Sequence, residues 1–172
     1  MTRSEELQKL AQRVADAFPP GVIEVVLTGS VSRGMADDVS DVEMLVVTDE
    51  PLELEDAYAL ARGAGLDGLD SWGAQGLPAK RVSGYVEGQP FELIMWPREL
   101  AEEELDALLE GKLSSSADAL VHGVSLRTTG LLAEWQERLR DYPDELAAAR
   151  IEEAALPWGG FTPAGLLTVI RP

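Results

Sequence analysis

The stretch that decides the fold is Thr28-Gly-Ser-Val-Ser-Arg-Gly-Met-Ala-Asp-Asp-Val-Ser-Asp-Val-Glu-Met-Leu-Val-Val47. It starts where one apolar, β-branched run ends, passes through a Gly-Ser pair, and enters a second apolar run that contains two acids. Successive side chains of a β-strand point to opposite faces of the sheet. Asp41 and Glu43 therefore share a face, and the pattern predicts two neighbouring carboxylates at the start of a buried strand.

Two carboxylates in this position need a compensating cation. Like charges about 6–7 Å apart repel, and burying them without a partner costs several kcal/mol. The chain has no cysteine and one histidine, which excludes Cys-ligated zinc and multi-histidine sites. Carboxylate oxygens select a hard cation such as Mg²⁺. The sequence therefore predicts an oxygen-only metal site that involves Asp41 and Glu43.

The Gly-Ser pair predicts a place for phosphate groups. Gly29 allows a sharp turn at the end of the first strand, and residues 30–34 are expected to open a short helix whose N–H groups face a phosphate. Ser30 and Ser32 add hydroxyl donors, and Arg33 adds a cation. Each signal alone is weak, but the order strand, Gly-Ser, acid-x-acid, strand is fairly specific.

The rest of the chain alternates helical and extended patterns. Apolar spacing and turn residues predict helices at 2–18, 51–62, 97–111, 130–140 and 144–156, strands at 22–27, 41–47, 80–87, 90–96 and 120–126, and a loop at 63–76. This order predicts an α/β (α+β) fold, a mixed, partly antiparallel sheet with flanking helices. We divide it into a catalytic domain, 1–112, and a short helical C-terminal extension, 113–172.

The composition of the chain indicates which classes of molecule it binds. Acidic residues number 31 against 14 basic ones, a formal net charge of −17. This charge opposes nucleic-acid binding, which needs clustered Lys and Arg, and it suits a cationic small substrate. The apolar runs are shorter than the roughly 18 residues that cross a bilayer, and the N-terminus does not resemble a signal peptide. We expect a cytoplasmic protein without a membrane partner.

Two segments, Val26 to Gly34 and Ser40 to Val47, together resemble the DNA polymerase β-type nucleotidyltransferase superfamily. Within it, Ser40-Asp-Val-Glu-Met44 is most similar to the kanamycin (aminoglycoside) nucleotidyltransferases. Ser32-Arg33-Gly34 resembles the minimal nucleotidyltransferases. The resemblance is strong over 22–47 and extends to Trp96.

This resemblance implies transfer of a nucleoside monophosphate from ATP or another NTP to an acceptor hydroxyl, with one or two Mg²⁺ ions. It implies that Asp41 and Glu43 bind the metal and that a third carboxylate, Glu92, completes the site or helps to deprotonate the acceptor. Ser30 would contact the β- and γ-phosphates, and Arg33 would steady them. The resemblance also implies a general base in the C-terminal part, for which the candidates are Glu145, Glu152 and Glu153.

The acceptor stays open between two alternatives. One is a small cationic molecule, such as an aminoglycoside antibiotic, in which case the protein would confer resistance. The other is a partner protein that the chain adenylylates or binds, as an antitoxin of the minimal nucleotidyltransferase kind would. The apolar stretch 157–172 favours a homodimer.

Overall fold

A computed structural model describes residues 1–71, 78–110 and 117–140, which form six helices and six strands. The helices are α1 (Arg3–Ala17), α2 (Gly29–Ser32), α3 (Leu54–Gly63), α4 (Arg98–Leu109), α5 (Ala117–His122) and α6 (Leu131–Leu139). The strands are β1 (Val22–Thr28), β2 (Val42–Thr48), β3 (Asp67–Ser71), β4 (Lys80–Val86), β5 (Gln89–Pro97) and β6 (Val124–Arg127).

All six strands belong to one sheet of order β3-β4-β5-β2-β1-β6. The central pair β2–β5 is parallel, and the other four pairs are antiparallel. Tight turns can join antiparallel neighbours, but parallel neighbours need a longer connection, which here contains α3, β3 and β4. The mixed, partly antiparallel sheet with flanking helices confirms the predicted fold class.

The core lies on both faces of this sheet. On one face, Leu27 and Met44 pack with apolar residues of α1 and α3. On the other face, Val26 and Leu45 pack with Trp96 and with apolar residues of α4, α5 and α6. Consecutive strand residues thus face different core layers, as the predicted alternation requires, and the Asp41–Glu43 side of β2 is the side covered by α4, α5 and α6.

The structure corrects three expectations. The predicted loop 63–76 contains strand β3, whose sequence Asp67-Gly-Leu-Asp-Ser71 has a single apolar side chain because β3 lies at the sheet edge and is mostly exposed. The predicted strand 120–126 is instead helix α5 followed by β6, since short apolar runs do not separate the two states. The predicted strands 80–87 and 90–96 form a hairpin that turns at Glu87-Gly88, so β4 ends one residue earlier and β5 begins one residue earlier than expected.

Several predictions fall outside the described residues. These are the helix 144–156, the apolar stretch 157–172 and, with it, the predicted dimer contact. The boundary at residue 112 stays a prediction, although β6 adds a strand to the same sheet. Within the described part of the chain, no helix combines the length and apolarity that a bilayer crossing demands.

Glu24 is a fully buried acid at the start of β1. Its carboxylate accepts hydrogen bonds from the hydroxyls of Ser125 (2.6 Å) and Thr128 (3.1 Å) and from the backbone N–H of Thr129 (3.0 Å). Buried carboxylates are tolerated when donors surround them. Glu24 therefore ties β1 to β6 and to the turn that precedes α6.

We expect Glu24→Leu to lower the free energy of unfolding by about 1–3 kcal/mol, because the fully buried acceptor of these three hydrogen bonds is lost and the link between β1, β6 and the following turn is broken. Chemical denaturation measures the loss. The control is Glu103→Leu at an exposed position of α4, for which a change within about 0.5 kcal/mol is expected. Equal effects of the two substitutions would contradict this role of Glu24.

Candidate active site

Three carboxylates meet where the two central strands begin. Asp41 directly precedes β2, Glu43 is the second residue of β2, and Glu92 lies in β5. Glu43 and Glu92 are register partners in the parallel pair, so their side chains leave the same face side by side. One oxygen from each of the three side chains lies within 4.8 Å of the others.

This cluster concentrates negative charge in a half-buried position. Burial raises the pKa of the Glu43 carboxyl, and the charges of Asp41, Glu92 and Asp118 raise it further, while Arg33 opposes them. Burial also raises the pKa of Glu92; the guanidinium of Arg81, 3.7 Å away, opposes this shift, and Asp41 adds to it.

The donor set fits a hard divalent cation. All three side chains offer carboxylate oxygens, the ligand type that Mg²⁺ prefers. The Oε1 atom of Glu92 is buried and has no hydrogen-bond partner in the described part of the chain. Since buried polar atoms are nearly always satisfied, this oxygen fits a ligand outside the protein. Asp41, Glu43 and Glu92 are therefore the residues that could hold a metal ion.

The Gly29 turn lies directly against this cluster. Gly29 directly follows β1 and is the first residue of α2. Its φ is +68°, a backbone conformation that residues with a Cβ atom rarely adopt. A Cβ atom added to Gly29 would lie 2.0 Å from Oε2 of Glu43. Position 29 therefore requires glycine for two reasons, its backbone conformation and the close approach of the Glu43 carboxylate.

The predicted phosphate-binding residues occupy different places around this turn. Ser30 is half-buried, and its hydroxyl makes no hydrogen bond to the described residues. The Ser32 hydroxyl donates to the carbonyl of Gly29 (2.9 Å), so it stabilises the turn itself. Arg33 is exposed and forms an ion pair with Asp118 of α5. The general-base candidates Glu145, Glu152 and Glu153 lie outside the described residues.

Asp118 is a site residue that sequence reasoning missed. Besides Arg33, its carboxylate accepts hydrogen bonds from the hydroxyl of Thr28 (3.0 Å) and the N–H of Gly29 (3.3 Å). Asp118 lies 89 residues after Gly29, in a segment without a recognisable motif. Only its position before the apolar run that begins at Ala119 could have placed it at the start of a structural element.

Comparisons with known proteins identify the family. Residues 7–110, well over half of the chain, match the model of the nucleotidyltransferase domain. The chain therefore belongs to the nucleotidyltransferase domain family. This match confirms the predicted resemblance at the level of the domain, whereas the closer similarity to the aminoglycoside enzymes stays a prediction.

Solved structures show more distant similarity. A nucleotidyltransferase-like protein from Exiguobacterium sibiricum 255-15 is 12% identical with a TM-score of 0.43; the match covers 86% of this chain and 42% of that one. The Cid1 poly(U) polymerase is 17% identical with a TM-score of 0.35, over 68% and 36% of the two chains. The structure of Cid1 in complex with the UTP analogue UMPNPP is also 17% identical, with a TM-score of 0.34. The match covers 68% of this chain and 36% of that one.

This chain thus spans less than half the length of each of these proteins. Because these TM-scores are below 0.5, the family assignment rests on the domain match alone. A search of curated proteins found no significant match.

We expect Gly29→Ala to weaken divalent-cation binding more than its effect on stability explains. The new Cβ atom would displace the Glu43 carboxylate from the cluster, and the left-handed backbone would cost about 1–2 kcal/mol. Isothermal titration with Mg²⁺ and thermal unfolding measure the two effects separately.

The matched control is Gly34→Ala. Gly34 has a φ of +73°, but an added Cβ atom would meet nothing within 4 Å. This variant should lose similar stability and keep its Mg²⁺ affinity. Equal loss of Mg²⁺ binding in both variants would refute the steric role of Gly29.

We expect Glu43→Gln to raise the melting temperature of the metal-free protein at about pH 8 and not at about pH 4. A carboxyl whose pKa is raised by folding contributes full stability below its ordinary pKa, and this contribution is lost as the pH rises through the raised value. The amide avoids that loss because it does not ionise. Thermal unfolding in EDTA measures the difference.

Added Mg²⁺ should reverse the order at about pH 8. The cation stabilises the wild-type protein by binding the folded state, and the variant has lost one ligand. A wild-type melting temperature that does not respond to Mg²⁺ would contradict the metal assignment.

Proposed function

We propose that this protein is a Mg²⁺-dependent nucleotidyltransferase that transfers a nucleoside monophosphate, AMP from ATP, to a hydroxyl group of a small-molecule acceptor. The observation that supports this most directly is the cluster of three carboxylates within 4.8 Å, placed against the Gly29 turn in a chain of the nucleotidyltransferase domain family. Neither the carboxylates nor the turn alone would be specific.

In the proposed reaction, the acceptor oxygen attacks the α-phosphorus of the nucleotide. A new oxygen–phosphorus bond forms, the bond between the α-phosphorus and the bridging oxygen breaks, and pyrophosphate leaves with the bonding electrons. The proton of the acceptor hydroxyl passes to a base. Candidates for this base are Glu145, Glu152 and Glu153, and also Glu92 in the alternative in which Asp41 and Glu43 hold the metal without it.

Each side chain of the cluster and of the turn would have a separate role in this reaction. Asp41, Glu43 and Glu92 would hold the metal, which would neutralise charge on the leaving pyrophosphate. Ser30 has a hydroxyl without a protein partner in the described part of the chain and would donate to the β- and γ-phosphates. Arg33 is the exposed cation beside the turn and would steady the same phosphates.

A cationic acceptor agrees with the charge of the chain. The net charge of −17 attracts cations and repels polyanions, nucleic acids among them. An aminoglycoside antibiotic has this chemistry and offers several hydroxyl groups. We therefore place aminoglycosides first among the small acceptors to be tested, and we keep a homodimer as part of the proposal.

A second candidate function is transfer to a partner protein. It is favoured by two apolar side chains on the loop between Gly34 and Asp41: Met35 is 70% exposed and Val39 is 89% exposed. Contiguous exposed apolar patches mark protein contacts, and these two side chains lie four residues apart on the same loop. This candidate keeps the same metal site and changes only the acceptor.

A transfer assay with labelled NTPs tests both candidates. Each of the four NTPs, labelled at the α-phosphate, is incubated with Mg²⁺ and either a panel of aminoglycosides or the proteins encoded beside this gene. Labelled drug supports the first candidate, and labelled protein supports the second. Absence of label on every acceptor, together with absence of NTP binding, would reject the proposed function.

We expect Asp41→Asn to reduce transfer at least about 100-fold, because it removes a charged metal ligand whose effect is strongest in the transition state. The matched control is Asp38→Asn, which changes an exposed aspartate on the same loop and should keep transfer within about twofold. Initial rates at saturating Mg²⁺ measure both. Equal rates for Asp41→Asn and wild-type protein would exclude Asp41 from the metal site.

A further inference from the structure

The carboxylate of Asp118 binds both ends of helix α2. One oxygen, Oδ2, accepts the N–H of Gly29, the first residue of α2, and the hydroxyl of Thr28 just before it. The other oxygen, Oδ1, pairs with the guanidinium of Arg33, the residue that follows α2. A single side chain therefore spans the whole Gly29–Arg33 turn.

The backbone of Asp118 is held firmly enough to make this contact specific. The next two residues, Ala119 and Leu120, are buried in the core layer on this face of the sheet. After α5 the chain passes so close to β1 that a Cβ atom on Gly123 would lie 2.3 Å from the Val26 side chain and 2.1 Å from the Ala119 carbonyl oxygen. The position of Asp118 relative to β1 is thus set by packing.

Helix α2 needs such a support. It has four residues, which is too short for its own hydrogen bonds to stabilise it, since helix formation requires a costly first turn. The Glu43 carboxylate contacts Gly29 on one side, and Asp118 binds the turn on another. Without Asp118, Arg33 would lose its ion pair, and the N–H of Gly29 would lose its acceptor.

We propose that Asp118 is a positioning residue, which holds the Gly29 turn and the Arg33 guanidinium in the geometry that binds the phosphates of the nucleotide. This inference rests on the proposed function, because it concerns the same phosphate groups. Asp118 itself touches neither the metal nor the nucleotide in this role. Arg33 keeps N–H groups that Asp118 does not use, and Ser30 keeps its hydroxyl.

The first test measures nucleotide binding. Asp118→Ala should weaken the binding of α,β-methylene-ATP in the presence of Mg²⁺ by about three- to tenfold, the range for partly exposed charged pairs with added hydrogen bonds. Asp118→Asn keeps an acceptor for Thr28 and Gly29 but loses the charge that faces Arg33, so its affinity should fall between those of wild-type protein and Asp118→Ala. Isothermal titration calorimetry gives the dissociation constants of the three proteins. The α,β-methylene analogues of GTP, CTP and UTP are tested in the same way.

A double-mutant cycle tests whether Asp118 affects nucleotide binding through Arg33. If Asp118 acts through Arg33, then Asp118→Ala should weaken binding much less in an Arg33→Ala background than in wild-type protein. Full additivity would contradict the positioning role. Tighter binding by Asp118→Ala would also contradict it, because the carboxylate would then compete with the phosphates for the same donors.

The second test does not depend on a nucleotide. Amide hydrogen exchange at Gly29 in the nucleotide-free protein should be about tenfold faster in Asp118→Ala, since the N–H loses its acceptor. The matched control is Asp106→Ala, which breaks another aspartate–arginine pair, with Arg138, far along α4. This control should change neither the exchange at Gly29 nor the affinity for the analogue.

The two tests separate the two proposals. If the wild-type protein binds none of the four analogues, the proposed function fails, while the exchange rate at Gly29 still shows whether Asp118 holds the turn. If the wild-type protein binds an analogue and Asp118→Ala changes neither affinity nor exchange, the positioning role is wrong and the proposed function stands.

Discussion

Repulsion between carboxylates at the head of the two central strands is the constraint on which the site depends. Glu43 and Glu92 are register partners in the one parallel pair among the described strands, and Asp41 joins them just before β2. Their burial is incomplete but sufficient to raise the pKa of both glutamates. Apolar side chains in these positions would serve stability better than carboxylates. Two residues further along the same strands, the register partners are the apolar Leu45 and Ile94.

The three carboxylates stay close together. Nearby arginines and close packing, rather than separation of the charges, reduce their repulsion. Arg81 approaches Glu92, and Arg33 lies near Glu43 but is paired with Asp118. The Glu43 carboxylate fits against Gly29 because that residue has no side chain. The result is a cluster that retains more negative charge than its neighbours neutralise. Such a cluster is suited to a divalent cation, the basis of our functional proposal.

Much of the fold could be predicted because its signals are local. The period of Leu7, Leu10 and Val14 defines α1, and a capping box of Thr2 and Glu5 starts it, with Thr2 Oγ1 accepting the N–H of Glu5. Alternation also placed Asp41 and Glu43 on one face of the sheet, where their carboxylate oxygens lie close together. The edge strand β3 escaped prediction because an exposed strand has no apolar alternation. Helix α5 escaped because the short apolar run Ala119-Leu-Val121 fits a strand as well as a helix.

The sequence by itself determined the residue types of the site, the shared face of the acid-x-acid pair and the glycine turn ahead of it. The acid in a neighbouring strand was implied by the family resemblance. Tertiary structure alone decided which of these touch. The parallel register that pairs Glu43 with Glu92, the contact of Glu43 with Gly29 and the arrival of Asp118 from 89 residues downstream all depend on long-range packing. Local periodicity records which side of a strand a residue faces, but not which distant element packs there, because that choice is made by the whole core.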